Sequence, residues 1–136
     1  MANAVYDAWK DLVASAGLGL ATLDLTTATL TVAAIDTGTY TFSQAHEDFA
    51  DVSGVVDTPV EITSPTVTGK TIDGADVTFP EMTGVSIEAL ILYMDTGVAG
   101  TSPLIAYIDT GVTGLPLTPS GADVVLTWDA AGIFDL

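Results

Sequence analysis

The sequence predicts a mainly β protein, an antiparallel β-sandwich or partly closed barrel with an N-terminal α-helix and one short inserted helix. Two observations predict this class. Short runs rich in Thr, Val and Ile, interrupted by Gly, Pro, Asp and Ser, fill most of the chain. Apolar residues at helical spacing occur near the N-terminus and in one later segment. Because no long linker interrupts the pattern, residues 1–136 are predicted to form a single domain.

The N-terminal helix is predicted over residues 4–16. An apolar stripe at helical spacing defines it, made of Val5, Ala8, Trp9, Leu12, Val13 and Ala16. Asn3 is a suitable N-cap, and Gly17 is suited to end the helix. We expect the stripe to pack on a sheet within the subunit, and packing against a partner is the alternative.

The first strands and the inserted helix follow. Residues 28–35 are predicted to form a strand. Residues 42–52 break the β pattern and are predicted to form the short helix, with Ser43 as its N-cap. Two short strands near prolines, at 59–63 and 66–72, suit the edge of a sheet. Asp73-Gly74 is then predicted to be the turn that leads into a strand at 75–79.

Three further strands complete the predicted body. Residues 86–94 and 103–108 are almost continuously apolar, which indicates central strands that are covered on both faces. The segment 95–102 would let these two strands pair antiparallel. Residues 122–129 alternate, which places Val124, Leu126 and Trp128 on one face.

Composition and charge limit the partners. The chain has 136 residues, 49% of them hydrophobic, with a mean hydropathy of +0.52 and a formal charge of −16. A domain of this size leaves much of its surface unburied, so we infer that apolar surface lies in an interface with other subunits or with another protein. The two basic residues are Lys10 and Lys70, and Arg is absent, so nucleic acid and anionic membranes are not expected partners.

The sequence also lacks the residues that cysteine-dependent sites, signal peptides and membrane-spanning helices require. Without cysteine there is no disulfide framework, thiol catalysis or Cys-ligated zinc. We find neither the pattern of a signal peptide nor an apolar stretch approaching the ~20 residues of a spanning helix.

One motif suggests chemistry. The strand at 28–35 runs into Asp36-Thr37-Gly38-Thr39, and Asp-Thr-Gly returns at 95–97 and at 109–111. Aspartic proteases present their catalytic carboxylates on such loops, and two facing loops share one proton. A homodimer of this chain is therefore a remote hypothesis for a retropepsin-like aspartic protease.

A repeated turn explains the motif better. A dimeric protease needs one copy per subunit, whereas this chain has three. Asp95 and Asp109 would lie at opposite ends of one antiparallel strand pair, roughly 15–20 Å apart at ~3.3 Å per residue. The later aliphatic pair followed by Gly, typical of dimeric aspartic proteases, is missing. Asp accepts hydrogen bonds from following amides and Gly supplies positive φ, so we expect Asp36, Asp95 and Asp109 each to end a strand and hold its turn.

The remaining candidates are weak. His46 lies beside Glu47 and Asp48, but adjacent helical residues point in different directions, so a solvated helix face is the preferred interpretation over a metal site. Calcium stays open, with the segment 73–77 nearest to a calcium loop but more simply a hairpin turn. The glycine-rich segment 17–22 lacks the Lys of a phosphate loop and is interpreted as a helix end. No catalytic, cofactor-binding or metal-binding residue is therefore assigned, and no cofactor is expected.

Several strand–turn phrases resemble small structural proteins of tailed bacteriophages. The phrases are "VAAIDTGTYTFSQAHEDFADVSGVV" (32–56), "EALILYMDTG" (88–97) and "SPLIAYIDTGVTGLPLTPSGADVVLTWDAAGIF" (102–134), together with the opening helix. The resemblance covers most of the chain and is weakest between residues 57 and 84. It implies a non-enzymatic virion component and brings no functional residues with it. The strong acidity departs from that group and suits a marine or salty setting.

Charge then suggests the place in the virion. A subunit of charge −16 facing the dense DNA inside a head would be repelled, whereas the outer shell presents no such conflict. We therefore expect a capsid decoration or cement protein on the outer capsid surface that binds the major capsid protein and copies of itself, with a trimer as one form of the homo-oligomer. A tail or head–tail connector component is the main alternative.

Overall fold

The computed structural model describes residues 3–16, 29–69 and 71–135. In chain order the elements are β1 (Ala4–Val5), α1 (Asp7–Ala16), β2 (Leu30–Ile35), β3 (Val55–Glu61), β4 (Thr66–Thr68), β5 (Thr71–Asp73), β6 (Val77–Phe79), β7 (Ala89–Met94), β8 (Leu104–Ile108), β9 (Val124–Leu126) and β10 (Phe134–Asp135). Two 3-10 helices lie at Phe49–Asp51 and Ala99–Thr101. The strand pairs are antiparallel and the sheets do not close. The predicted class, mainly β and sandwich-like with a helix, is confirmed.

A five-stranded sheet forms the centre of the fold, in the order β1-β8-β7-β2-β3. Its middle strands are apolar except for Thr31, and they are buried from end to end except for Met94, which is half-buried. The predicted antiparallel pairing of residues 86–94 with 103–108 is confirmed in the register Leu90 with Ile108 and Tyr93 with Leu104. Continuous apolar runs are typical of strands that are covered on both faces.

Alternate side chains of β2 pack into two separate cores. Val32 and Ala34 belong to the larger core, which also holds Ile72, Phe79 and Leu126 from the smaller sheets and Trp128 and Ile133 from the segment between β9 and β10. Ala33 and Ile35 belong to a second core on the other face, built largely from aromatic side chains. The period of two along the strand therefore divides its side chains between two layers.

The two smaller sheets cover the larger core. One has the order β10-β5-β4, and the other pairs β6 with β9. The alternation predicted for residues 122–129 is confirmed, because Leu126 and Trp128 are buried while Val125 is 57% exposed. The hairpin predicted at Asp73-Gly74 is wrong: β5 and β6 join different sheets, and the amide of Ala75 donates to the carbonyl of Thr63 instead.

The N-terminal helix begins three residues later than predicted. Ala4 and Val5 form β1 and pair with Tyr107 and Ala106 of β8. Because these two residues are extended in the sheet, the helix starts only after them. Within α1, Trp9 is 1% exposed and belongs to the larger core, which confirms that the helix packs inside the subunit. The side chains of residues 12–16, and Gly17, lie outside the described part, as does the glycine-rich segment 17–22.

The helix predicted over residues 42–52 is limited to the 3-10 helix at Phe49–Asp51. Neighbouring backbone prevents a longer helix. Gln44 O accepts a hydrogen bond from Asp7 N, Glu47 O accepts one from Leu104 N, and Phe49 N donates to Ser102 O. The segment is therefore tied to α1 and to β8, and its amphipathic spacing reflects packing on the aromatic core, where Phe49 stacks on Tyr93 at 4.0 Å.

The outer strand β3 is irregular in the middle. Its pairing with β2 shifts register between Val32 and Ala34, opposite residues 57–59. Asp57 has a φ of 61°, and Pro59 has no N–H to offer. Such a strand is a poor template for further strand pairing.

None of the helices in the described ranges combines the length and the apolar character that a membrane crossing requires.

Candidate functional site

The three Asp-Thr-Gly segments lie at the two edges of the central sheet where its strands begin and end, and not along its outermost strands. Because β2 and β8 both run antiparallel to β7, they end at the edge where β7 begins. The turns after Ile35 and Ile108 therefore share one edge, and the turn after Met94 lies at the opposite edge. The expectation that Asp36, Asp95 and Asp109 each follow the end of a strand is confirmed.

Asp36 holds its own turn with both carboxylate oxygens. Oδ1 accepts from Gly38 N at 2.8 Å, and Oδ2 accepts from Thr39 Oγ1 at 2.9 Å. The Asp36 amide donates to Gly54 O at 2.9 Å, which ties the turn to the start of β3. Gly54 has a φ of +69°, and a Cβ there would lie 2.8 Å from Asp36 O. This carboxylate serves as a turn residue, as predicted.

Asp95 makes the corresponding contact in the second turn, but the backbone differs, because Gly97 has a φ of +88° whereas the φ of Gly38 is not positive, contrary to expectation. Asp95 Oδ1 accepts from Gly97 N at 2.8 Å. The hydroxyl of Thr96 lies in a polar cluster with Thr101 at 2.6 Å and Ser102 at 3.1 Å. The second turn thus also stabilises the connection between two strands.

Asn3 holds the third turn. Its Oδ1 accepts from the amides of Asp109 and Thr110 at 2.7 and 3.0 Å, and its Nδ2 donates to Thr110 O at 3.0 Å. The expectation that Asn3 caps the helix is therefore wrong, because β1 separates it from α1 and its side chain faces the end of β8. Asn3 Oδ1 thus accepts from the first two amides of the third turn, whereas Asp36 Oδ1 accepts from the amide of Gly38, the third residue of its motif.

Glu88 connects the shared edge to the start of β7. Its Oε1 accepts from Thr37 N at 3.0 Å and from Thr37 Oγ1 at 2.9 Å. Glu88 N donates to Ile35 O. The Glu88 carboxylate is therefore fixed beside the first Asp-Thr-Gly turn.

A cavity of about 460 Å³ lies at this edge. We call it the edge cavity, and its lining residues are Thr37, Tyr40, Thr41, Phe42, Glu88, Tyr107 and Asp109. Two carboxylates, three aromatic rings and two Thr residues thus line one concave surface. Tyr107 and Phe42 pack with their ring centroids 4.9 Å apart. Burial, and then the nearby Asp109 charge, raise the pKa of the Tyr107 hydroxyl.

A chain of hydrogen bonds runs behind the edge cavity. Tyr6 Oη lies 2.9 Å from Tyr40 Oη, which lies 2.7 Å from His46 Nδ1. Burial and the bond to Tyr40 raise the pKa of Tyr6 far above its usual range, and burial raises that of Tyr40. The interpretation of His46 as part of a solvated helix face is therefore wrong: its ring is half-buried and serves as the outer end of this chain.

The acidic neighbours of His46 stabilise their own loop. Asp51 Oδ2 accepts from the amides of Glu47 and Asp48 at 2.9 and 3.3 Å. These bonds lower the pKa of the Asp51 carboxyl. Among the described residues, no group of three or more His, Asp or Glu side chains could hold a metal ion.

Sequence reasoning missed Asn3, Glu88 and the aromatic lining of the edge cavity. A weak signal was present, because Tyr107 lies two residues before one Asp of the motif and Tyr40 four residues after another. The cavity itself depends on the register that brings β2, β7 and β8 together, which the local pattern does not reveal.

A search of models of known protein families found none that matches this chain, and no curated protein matches it.

Proposed function

We propose that this chain is a non-enzymatic structural protein of a virion that decorates the outer capsid surface as a cement protein. Its proposed partners are the major capsid protein and further copies of itself, with a homo-oligomer such as a trimer as the docking unit. Engagement of several weak sites at once would give such a unit strong overall binding.

The distribution of charge is the observation that supports this proposal most. No Asp or Glu among the described residues is fully buried, and most of them are exposed, so most of their charge faces outward. The ammonium of Lys10 lies 3.0 Å from Asp7 Oδ1 and offers little to a polyanion. With a formal charge of −16, the chain would be repelled by packed DNA inside a head. The outer surface of a shell imposes no such cost.

The contacts of the Asp-Thr-Gly turns also favour a structural role. Asp36 uses both carboxylate oxygens within its own turn, and Asp95 binds the amide of Gly97. A protease dyad needs two carboxylates that share one proton. The motif is thus accounted for by turn stability at three strand ends.

Exposed apolar side chains provide contact points for a partner. Val67, Val85, Val98 and Val125 are between 45% and 61% exposed. They lie on separate elements, with Val125 on the outer face of the β6–β9 pair opposite Thr78. Such a distribution suits several small contacts with neighbouring shell subunits.

Quantitative mass spectrometry of purified virions tests the proposal, with the major capsid protein as the internal standard. A decoration protein should be present at a copy number comparable to that of the shell subunit. A few copies per particle would indicate a tail or connector component instead. Absence of the chain from virions would exclude both.

A further inference from the structure

We propose that the edge cavity is a receptor for one arginine side chain of a partner protein, held between the Glu88 carboxylate and the rings of Tyr107 and Phe42. The inference rests on the proposed function only for the identity of that partner, which would be the shell subunit. The edge cavity has a volume of about 460 Å³, which falls within the range of ordinary ligand pockets.

Glu88 supplies a preorganised acceptor. Both hydrogen bonds that described residues make to its carboxylate fall on Oε1, from the amide and the hydroxyl of Thr37. Oε2 is therefore available to an incoming donor, while Oε1 fixes the group in place. Asp109 adds a second carboxylate to the lining. Charge-assisted bonds to such a fixed carboxylate are among the stronger ones that proteins make.

Tyr107 supplies a second acceptor. Its side chain is 4% exposed and lines the cavity together with Glu88 and Asp109. The hydroxyl oxygen can accept an N–H from a guanidinium that also contacts Glu88.

The aromatic lining favours a planar cation. The rings of Phe42 and Tyr107 lie 4.9 Å apart and are tilted by 46°, and Tyr40 lies 6.5 Å from Tyr107. Guanidinium stacks on aromatic faces and is more weakly hydrated than ammonium, so its desolvation costs less. Tyr40 and Tyr107 are 3% and 4% exposed, so the half-buried Phe42 offers the ring surface for such stacking. The combination of carboxylate, phenol and this ring therefore suits arginine better than lysine.

The occupant must come from another protein. The chain contains no arginine, so a second copy cannot supply one. A metal ion is a poorer match, since calcium takes six to eight oxygen ligands, and no group of three or more His, Asp or Glu in the described part could hold a metal. A partner with an exposed arginine on its docking surface complements both the shape and the charge.

Titration of the isolated, full-length protein with N-acetyl-arginine methylamide tests the proposal, followed by amide and side-chain NMR. We expect saturable shifts at Thr37, Glu88 and Tyr107. Glu88→Gln should weaken binding about tenfold or more, because it removes one charge-assisted contact. Glu61→Gln, which removes the same charge from exposed β3, should bind as the unaltered protein does.

The uncharged analogue N-acetyl-citrulline methylamide and N-acetyl-lysine methylamide complete the test, and both should bind more weakly. Equal binding of citrulline, equal binding by the Glu88→Gln variant, or shifts spread evenly over the acidic surface would each overturn the proposal. Remote amide shifts of each variant confirm that it is folded. Because no virion enters this experiment, its failure leaves the copy-number measurement unaffected, and the reverse also holds.

Discussion

The side chain of Asn3 exchanges two hydrogen bonds with the backbone of Thr110, 107 residues further along the chain. A third bond, from the amide of Asp109, completes the contact. It joins the residue before β1 to the turn after β8, directly beside the pairing of Ala4 with Tyr107. The start of the chain is thereby held against an edge of the central sheet.

Asn3→Ala should lower the free energy of unfolding by about 1–2 kcal/mol, because three exposed bonds are lost and solvent replaces part of each. Chemical denaturation measures this loss, and the amides of Asp109 and Thr110 should exchange faster with solvent. Asn3→Asp keeps the acceptor and should lose less. Unchanged exchange of both amides in Asn3→Ala would contradict the assignment.

Gly54→Ala and Gly97→Ala form a matched pair. Both glycines have positive φ, at +69° and +88°, but only Gly54 has backbone within contact of an added Cβ, at 2.8 Å from Asp36 O. Gly97→Ala should cost about 1–2 kcal/mol from conformation alone. Gly54→Ala should cost about 2–5 kcal/mol, since the clash adds to that strain. Equal losses in thermal and chemical denaturation would show that the Asp36 turn is not packed against Gly54.

Tyr6 and Tyr40 should be energetically coupled. Tyr40→Phe leaves the buried Tyr6 hydroxyl without the partner it has at 2.9 Å, and should cost about 2–3 kcal/mol. Tyr6→Phe leaves the bond from Tyr40 to His46 intact and should cost about 1 kcal/mol. The double variant should lose less than the sum, as a double-mutant cycle measures. Strict additivity would rule out the hydrogen-bonded chain.

The tyrosines should resist ionisation in the folded protein. Burial, the main cause for each, raises the pKa of all four and brings that of Tyr93 to about 12. Because folding favours the neutral hydroxyls, the stability that they contribute is complete below pH 10.0, the ordinary pKa of tyrosine. It is lost as the pH rises from there towards the folded-state pKa values. Near-ultraviolet absorbance should therefore report phenolate above pH 10, with unfolding at higher pH. The urea-unfolded protein is the control, and ionisation near pH 10 with native circular dichroism would contradict the burial.

The unaltered protein should not cleave peptides at about pH 5, where aspartic proteases work. Asp36→Asn should then change stability rather than activity, by about 1 kcal/mol, because one of two acceptor contacts is lost. A peptide-library assay read by mass spectrometry makes the measurement. Cleavage that disappears in Asp36→Asn would restore the protease hypothesis.

Apolar runs and turn residues in the sequence predicted the buried strands and the turns that follow them. The runs at 86–94 and 103–108 are apolar because both their faces are covered. Asp36 accepts from the amide two residues on, which is the local hydrogen bond expected of an Asp in a turn. Contacts between distant segments were beyond such patterns. β1 is two residues long and forms because it can pair with the outer side of β8. Asp73-Gly74 fits a hairpin locally, although its flanking strands join different sheets.

The candidate site was least accessible to sequence reasoning. His46 looked like one of three exposed polar residues because nothing nearby in the chain reveals Tyr40 and Tyr6 behind it. Glu88 precedes a buried strand without any motif, and its role follows from the register that places Thr37 beside it. A site made from three strand ends emerges once the sheet order is known.

The irregularity of the outer strand β3 has a consequence for aggregation. Where many copies stand side by side at high local concentration, a straight, fully paired edge would let neighbouring sheets fuse into a continuous ladder and aggregate. The register shift, the φ of 61° at Asp57 and the missing N–H of Pro59 interrupt that ladder after a few residues. A strand that approached this edge would therefore find few consecutive backbone groups with which to pair.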